Sequence, residues 1–235
     1  MKITGLQKLT LLDYPGKVAC TVFLGGCNFR CPFCHNSDLL DGETEALMDD
    51  EAFLAFLKKR TGLLDAVCVS GGEPTLQPEL PRFLESIKAL GFLVKLDTNG
   101  YRPEVLQDLV KAGLVDYVAM DVKNGPSAYA ATVGRSNMDL ERIAQSLRFL
   151  MEGDLPYELR TTVVEELHSE ASIAEMGQWL SSLSAPQKPD KLFLQCFVDR
   201  ESVLQSGLHA PQAETLKKYV EILTPYVGQI ALRGV

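Results

Sequence analysis

The stretch Lys17-Val18-Ala19-Cys20-Thr21-Val22-Phe23-Leu24-Gly25-Gly26-Cys27-Asn28-Phe29-Arg30-Cys31-Pro32-Phe33-Cys34-His35-Asn36 decides the reading of this chain. Residues 17–24 form a short β-rich run without clean alternation, which predicts a strand buried on both faces. The run passes directly into a glycine pair and then into three of the chain's six cysteines, spaced C-x3-C-x2-C. A strand that feeds a loop of this composition predicts chemistry at the C-terminal end of a strand, where α/β barrels place their active sites.

Working outward, six further strand candidates follow at 66–70, 92–97, 117–122, 157–164, 191–197 and 229–232. Between them lie helix candidates at 50–60, 78–90, 103–112, 139–151, 172–183 and 211–223. In the first of these, Phe53, Leu54, Phe56 and Leu57 share a face, and in the second Leu80, Leu84, Ile87 and Leu90 do so. Several begin with Pro near the first turn, and Gly91, Gly113 and Gly153 stand where helices would stop. Strands alternating with helices predict right-handed βαβ units and a parallel sheet. Six or seven units are too few for an eight-fold barrel, so the expected fold is α/β, a partial (split) parallel β/α barrel of six to seven βα units. One domain, residues 1–235, accounts for the length. The stretch 181–189 reads as a loop, and there is no internal repeat.

Hydrophobic residues make up 46% of the chain and charged residues 23%, ordinary values for a globular protein. A formal net charge of −8 and the absence of a Lys/Arg cluster argue against a nucleic-acid partner. Lys58-Lys59-Arg60 and Lys217-Lys218 sit in helical segments beside acidic residues and read as solvated faces. No run has the apolar length to span a bilayer, and Met1–Lys8 lacks the apolar core of a signal peptide. The expected location is the cytoplasm, with no membrane contact and with thiols kept reduced.

Reduced cysteines are packing residues or metal ligands. Three local thiolates on a cubane iron–sulfur cluster leave one of its four irons open, as a reactive cluster requires. Gly25 and Gly26 permit close backbone approach, Pro32 stiffens the turn, and Phe29 and Phe33 can shield the cluster. A zinc site is the competing reading, with His35 completing a Cys3His set, and a chance group of buried thiols is another. Cys20, Cys68 and Cys196 are singletons in strand candidates.

Val69-Ser70-Gly71-Gly72-Glu73-Pro74 closes the second strand candidate; it is either an ordinary βα turn or a ligand-binding loop. Leu96-Asp97-Thr98-Asn99-Gly100 and Met120-Asp121-Val122-Lys123 close the next two. Unpaired acids there would be costly, so Asp97 and Asp121 should meet a ligand, a cation or a base. Arg160, within the fifth strand, is a substrate contact or a structural ion pair. His168 and His209 fall in polar stretches and read as surface residues, and Trp179 as a helix packing residue.

With these motifs together, the chain resembles the radical S-adenosylmethionine superfamily, in the C-x3-C-x2-C loop after the first barrel strand and in Phe33 before the third cysteine. His35-Asn36 narrows the likeness to the activating enzymes of glycyl radical enzymes. The resemblance runs from Leu12-Asp13-Tyr14-Pro15-Gly16 to the last strand. Length and opening are most similar to the anaerobic ribonucleoside-triphosphate reductase activating proteins. The resemblance implies a [4Fe-4S] cluster on Cys27, Cys31 and Cys34, and S-adenosylmethionine as second cofactor. It assigns Gly71, Gly72 and Glu73 to the methionine amino group and Lys123 to its carboxylate. Asp97, Thr98 and Asp121 would hold a monovalent cation or organise the site, with Phe33, Asn99 and Arg160 among the cofactor-binding residues. Related activators carry a histidine near Gln195-Cys196-Phe197; this chain does not, which leaves the adenosine contacts unassigned. The implied reaction is reductive cleavage of S-adenosylmethionine, followed by hydrogen abstraction from a glycine of a partner glycyl radical enzyme, with reduced flavodoxin or ferredoxin as electron donor. No side chain need act as acid or base. Two alternatives stand beside it: a radical enzyme acting on a small molecule, as in deazapurine synthases, and a non-catalytic iron–sulfur electron carrier.

Overall fold

A computed structural model describes every residue except Ala185, Gln187 and Val235. The chain divides into two compact units, one of Met1–Asn28 with Asp38–Ala119, the other of Phe29–Ser37 with Met120–Val235.

The first unit contains strands β1 (Lys2–Thr10), β2 (Ala19–Leu24), β3 (Met48–Asp49), β4 (Ala66–Gly71) and β5 (Leu93–Thr98), and helices α1 (Asp50–Lys58), α2 (Leu80–Ala89) and α3 (Pro103–Lys111). The strand order is β3-β1-β2-β4-β5. β2 and β4 run parallel in register from Ala19–Ala66 to Leu24–Gly71, and β4 and β5 from Ala66–Leu93 to Val69–Leu96. The edge differs from expectation: β1 is an added strand, antiparallel to both β2 and β3. Of its residues only Ile3 and Thr10 are buried, so β1 carries almost none of the apolar pattern that marks the inner strands.

Local chemistry starts and stops the helices. Asp49 caps α1 by accepting from Ala52 N at 2.8 Å, and Pro81 and Pro103 stand in the first turns of α2 and α3. Phe53 of α1 and Phe83 of α2 are buried with ring centroids 5.6 Å apart; burying each stabilises the unit by roughly 1.5–3 kcal/mol. On the sheet, Tyr14, Ala19, Ala66 and Cys68 form a buried cluster with Leu93 and Tyr117 packed against it.

The second unit holds α4 (Pro126–Thr132), α5 (Leu140–Glu152), β7 (Tyr157–Val163), α6 (Glu170–Ser184), β8 (Lys191–Cys196), α7 (Ala213–Leu223) and β9 (Gln229–Arg233). β7–β8 and β8–β9 are parallel. Asp139 caps α5. Trp179 packs edge-on to Tyr129 at 6.0 Å, as a helix packing residue should. Strand β6 (Tyr117–Asp121) contributes its first three residues to the first unit and its last two to the second. In the first unit Asp116 N, just before β6, donates to Val94 O of β5; in the second Val122 N, just after it, donates to Arg160 O of β7.

All seven expected strands and six expected helices are present, with ends shifted by a few residues, and α4 is an addition. The expected loop 181–189 is corrected at its start, since Ser181–Ser184 complete α6; two of its remaining residues lie outside the described set.

Candidate functional site

In the first unit the site is a network of backbone and side-chain contacts around the start of the cysteine loop. Gly26 N donates to Leu39 O at 2.6 Å and Cys27 N to Leu40 O at 3.0 Å. Gln77 Nε2 holds Gly25 O at 2.7 Å. The Gly71-Gly72 pair lies directly on this segment: Gly72 N donates to Leu24 O and Glu73 N to Gly26 O, both at 2.8 Å. A Cβ on Gly72 would stand 2.1 Å from Gly26 O, and one on Gly71 2.3 Å from Leu24 O. The glycines are therefore required for backbone-to-backbone contact with the cysteine loop, whatever ligand they also meet.

Glu73 is 1% exposed and directed into the protein. Its Oε1 accepts from Thr75 N at 3.1 Å, Thr75 Oγ1 at 2.5 Å and Thr98 Oγ1 at 2.8 Å, and its Oε2 from Asn99 N at 2.6 Å. Asn99 Nδ2 reaches Asn28 Oδ1 at 2.8 Å, which closes the circuit on the cysteine loop. Burial pushes the Glu73 carboxyl above its usual range, and the donors from Thr75, Asn99 and Thr98 offset this only in part.

Asp97 shares a strand face with Lys95, two residues earlier, and Lys95 Nζ pairs with Asp97 Oδ1. Ser70 Oγ donates to Asp97 Oδ2 at 3.1 Å. Lys95 is missing from the sequence reading, yet a lone cation inside Phe92-Leu93-Val94-Lys95-Leu96-Asp97 is the signal that finds it.

In the second unit Asp121 lies between two cations, Lys123 Nζ and Arg160 Nε, each at 2.9 Å. Burial would raise the Asp121 carboxyl, but the Arg160 guanidinium and Lys123 ammonium outweigh it and hold it at about 2. Burial would lower Lys123, and Asp121 outweighs that, so its ammonium is held above the usual lysine range. Arg160 is thus in an ion pair. Lys123 Nζ also stands 5.8 Å from the centre of the Phe33 ring. The turn carrying Lys123 is fixed from behind. Asn124, fully buried, donates to Thr132 Oγ1 and Leu167 O, and His168 Nε2 bonds Lys123 O at 2.9 Å. The surface reading of His168 is therefore corrected: it is 4% exposed, its Nδ1 meets Val164, and burial lowers its pKa. His209 is exposed as expected and pairs with Glu166. Of the partners expected for the two aspartates, a ligand, a cation or a base, the protein itself supplies cations at both.

The rest of the cysteine loop belongs to this second unit. Arg30 N donates to Val133 O and Cys34 N to Cys31 O. Gln205 N reaches Pro32 O at 2.9 Å, and Ser37 Oγ reaches Ser202 O at 2.6 Å. His35 lies against Phe197 at 5.5 Å and bonds Val198 O at 2.7 Å. Position 197, where related activators were expected to offer a histidine nearby, instead holds a buried ring against the loop's own histidine.

All six cysteines are thiols, with none in a disulfide. Burial pushes Cys20 and Cys68 up to about 12, which makes them inert packing residues. Cys27 stands in the first unit and Cys31 and Cys34 in the second. Among the described residues, no group of three His, Cys, Asp or Glu side chains is gathered closely enough to hold a metal ion. The fit to an iron–sulfur cluster rests on donor chemistry: three thiols on one short loop, with buried Phe29 and Phe33 to exclude water.

The sequence profile of the radical SAM superfamily matches residues 21–174. The chain belongs to that superfamily, whose cofactors are a [4Fe-4S] cluster and S-adenosylmethionine. A Methanocaldococcus jannaschii protein named, provisionally, a glycyl-radical enzyme activating enzyme is 31% identical over 99% of this chain and 96% of its own length. The 7-carboxy-7-deazaguanine synthase of Neisseria meningitidis is 34% identical over 60% of this chain and 57% of its own. A solved domain of a pyruvate-formate lyase-activating enzyme from Bacteroides vulgatus superposes with a TM-score of 0.58 at 25% identity, over 72% of this chain and 99% of that one. The fold is the α/β, partial parallel β/α barrel of this superfamily. Among the described residues no helix is long and apolar enough to cross a membrane.

Proposed function

We propose that the chain is an activating enzyme for a glycyl radical enzyme in the cytoplasm, and that the partner is an anaerobic ribonucleoside-triphosphate reductase. The observation that carries this reading is the C-x3-C-x2-C loop in a chain that aligns end to end with the M. jannaschii relative. When bound, the cluster and S-adenosylmethionine supply the chemistry: one electron breaks the C5′–S bond, and the adenosyl fragment removes a hydrogen atom from glycine Cα in the partner. Residues 1–235 act as one radical SAM domain. Cys27, Cys31 and Cys34 hold three irons, and Phe29 and Phe33 keep water from them. Lys123, held as an ammonium by Asp121, meets the carboxylate of S-adenosylmethionine. Gly71, Gly72 and Glu73 shape the backbone that receives its amino group, with Thr98 and Asn99 behind them. Arg160 keeps Asp121 charged and in place. Reduced flavodoxin or ferredoxin supplies the electron.

The test is anaerobic. The chain is reconstituted with iron and sulfide, reduced, and mixed with S-adenosylmethionine and an anaerobic ribonucleotide reductase, with Cys31→Ala as control. The expected result is 5′-deoxyadenosine together with a glycyl-radical doublet by electron paramagnetic resonance. Formation of 5′-deoxyadenosine with a deazapurine precursor turned over, and no protein radical, would favour the second reading. That reading is a small-molecule enzyme, supported by the partial likeness to 7-carboxy-7-deazaguanine synthase. An intact cluster with no cleavage under any of these conditions would leave the electron-carrier reading.

A further inference from the structure

The Lys95–Asp97 pair is largely withdrawn from water. Lys95 is 1% exposed, between Val94 and Leu96 in β5, and the β4–β5 ladder sets it directly beside Cys68. Lysine is rarely buried to this extent, and an ammonium taken from water must be matched by an anion and hydrogen bonds. Asp97 is that anion: Oδ1 takes the ammonium and Oδ2 takes the Ser70 hydroxyl. A soluble monovalent ion approaching Asp97 would meet a fixed positive charge already on the carboxylate. It would also have to be dehydrated to enter. The ammonium is held on the strand by its own stem, so it gives up no translational freedom when it pairs.

We propose that Lys95 is a tethered cation that takes the place of a soluble monovalent ion at Asp97, so that this enzyme binds S-adenosylmethionine without potassium or sodium. The inference rests on the proposed function and on the expectation, from the family resemblance, that Asp97 holds a monovalent cation or organises the cofactor site. Lys95 is a positioning residue in this scheme. It keeps the Asp97 carboxylate neutralised and aimed, and touches no reacting atom.

Two measurements test it. In the first, reconstituted wild-type protein is dialysed to equilibrium with labelled S-adenosylmethionine in potassium, sodium or tetramethylammonium chloride at equal ionic strength. Tetramethylammonium is too large to enter a small cation site. The dissociation constant should agree across the three salts within about twofold, and a loss of about fivefold or more in tetramethylammonium, restored by potassium or sodium, would overturn the proposal. In the second, the thermal midpoint of the cluster-free protein is compared in the same salts for wild type and Lys95→Met. The vacated carboxylate of the variant should draw in the small ions and raise its midpoint in potassium or sodium alone, while the wild type shows no preference. A wild type that prefers the small ions, or a folded variant that does not, counts against the tethered cation. If Lys95→Met does not fold, the wild-type comparisons decide. If S-adenosylmethionine binds in none of the salts, the cofactor-site assignment fails, and the thermal series still settles whether Lys95 fills a cation site.

Discussion

Glu73 and Asp121 are both acids at the ends of barrel strands, and the protein treats them in opposite ways. Glu73 is buried among neutral donors, two backbone amides and two hydroxyls, which fix its position but do not repay its charge. Its carboxyl is pushed up by burial. Asp121 keeps 26% of its side chain exposed and is bracketed by two cations, so its carboxyl is held down at about 2. The first arrangement is a joint that ties the glycine turn to the end of β5. The second is an electrostatic holder that keeps Lys123 charged and pointed. Neutral donors set geometry, whereas cations set protonation, and a site of this kind needs both.

The largest effect should come from breaking the joint. Glu73→Ala strands four donors in a dry interior and should cost about 4 kcal/mol of stability, read from urea unfolding of the cluster-free protein. Glu73→Gln retains an oxygen toward Thr75 and Thr98 but turns an amide toward Asn99 N–H, so its cost should be nearer about 1–2 kcal/mol. Equal costs for the two substitutions would mean that the charge of Glu73 matters more than its shape, which contradicts the comparison.

The holder should respond to acid in the opposite sense from the joint. Asp121 titrates at about 2 when folded against 3.8 when free, so its contribution is fully present above 3.8 and is lost as the pH falls toward 2. Asp121→Asn should remove about 2 kcal/mol at neutral pH and flatten the stability profile across that acidic window. For Glu73 the folded value lies above the ordinary 4.5. Its contribution is therefore greatest below 4.5 and is lost as the pH rises through the folded value. Each amide mimics the protonated acid. Relative to wild type, unfolding midpoints should therefore show Asp121→Asn losing stability as the pH rises from about 2 through 3.8, whereas Glu73→Gln should gain it as the pH rises above 4.5. Trends of the same sign would remove the distinction.

Much of this was legible in the sequence because the decisive signals are local. The run 17–24 passing into Gly25-Gly26 and the cysteines, and Gly71-Gly72-Glu73-Pro74 after a strand, carry their geometry in consecutive residues. What was not legible depends on distant partners. His168 sits among Glu165, Glu166, Ser169 and Glu170 and looks solvated, but it turns inward to Lys123 O, 45 residues away. The strict need for Gly72 comes from Gly26 O, in a different strand's loop. β1 has too few buried positions to declare itself, and its pairing with β2 is what makes it a strand. Lys95 lies between these cases: the strand period puts it on the same face as Asp97, but only the fold shows that the face is dry.

The smallest predicted effect probes the joint most finely. Thr98 Oγ1 donates to Glu73 Oε1 at 2.8 Å and accepts from Gly100 N at 3.1 Å, so the hydroxyl links the acid to the turn after β5. Thr98→Val keeps the shape and deletes both bonds, and should cost about 1 kcal/mol. Combined with Glu73→Ala, the loss should fall short of the sum by about 0.5–1 kcal/mol, because each substitution deletes the same bond. Cycles run on urea midpoints of the cluster-free protein would show this. Strict additivity would mean that Thr98 acts through Gly100 alone, and the joint would then consist of Glu73, Thr75 and Asn99 without it.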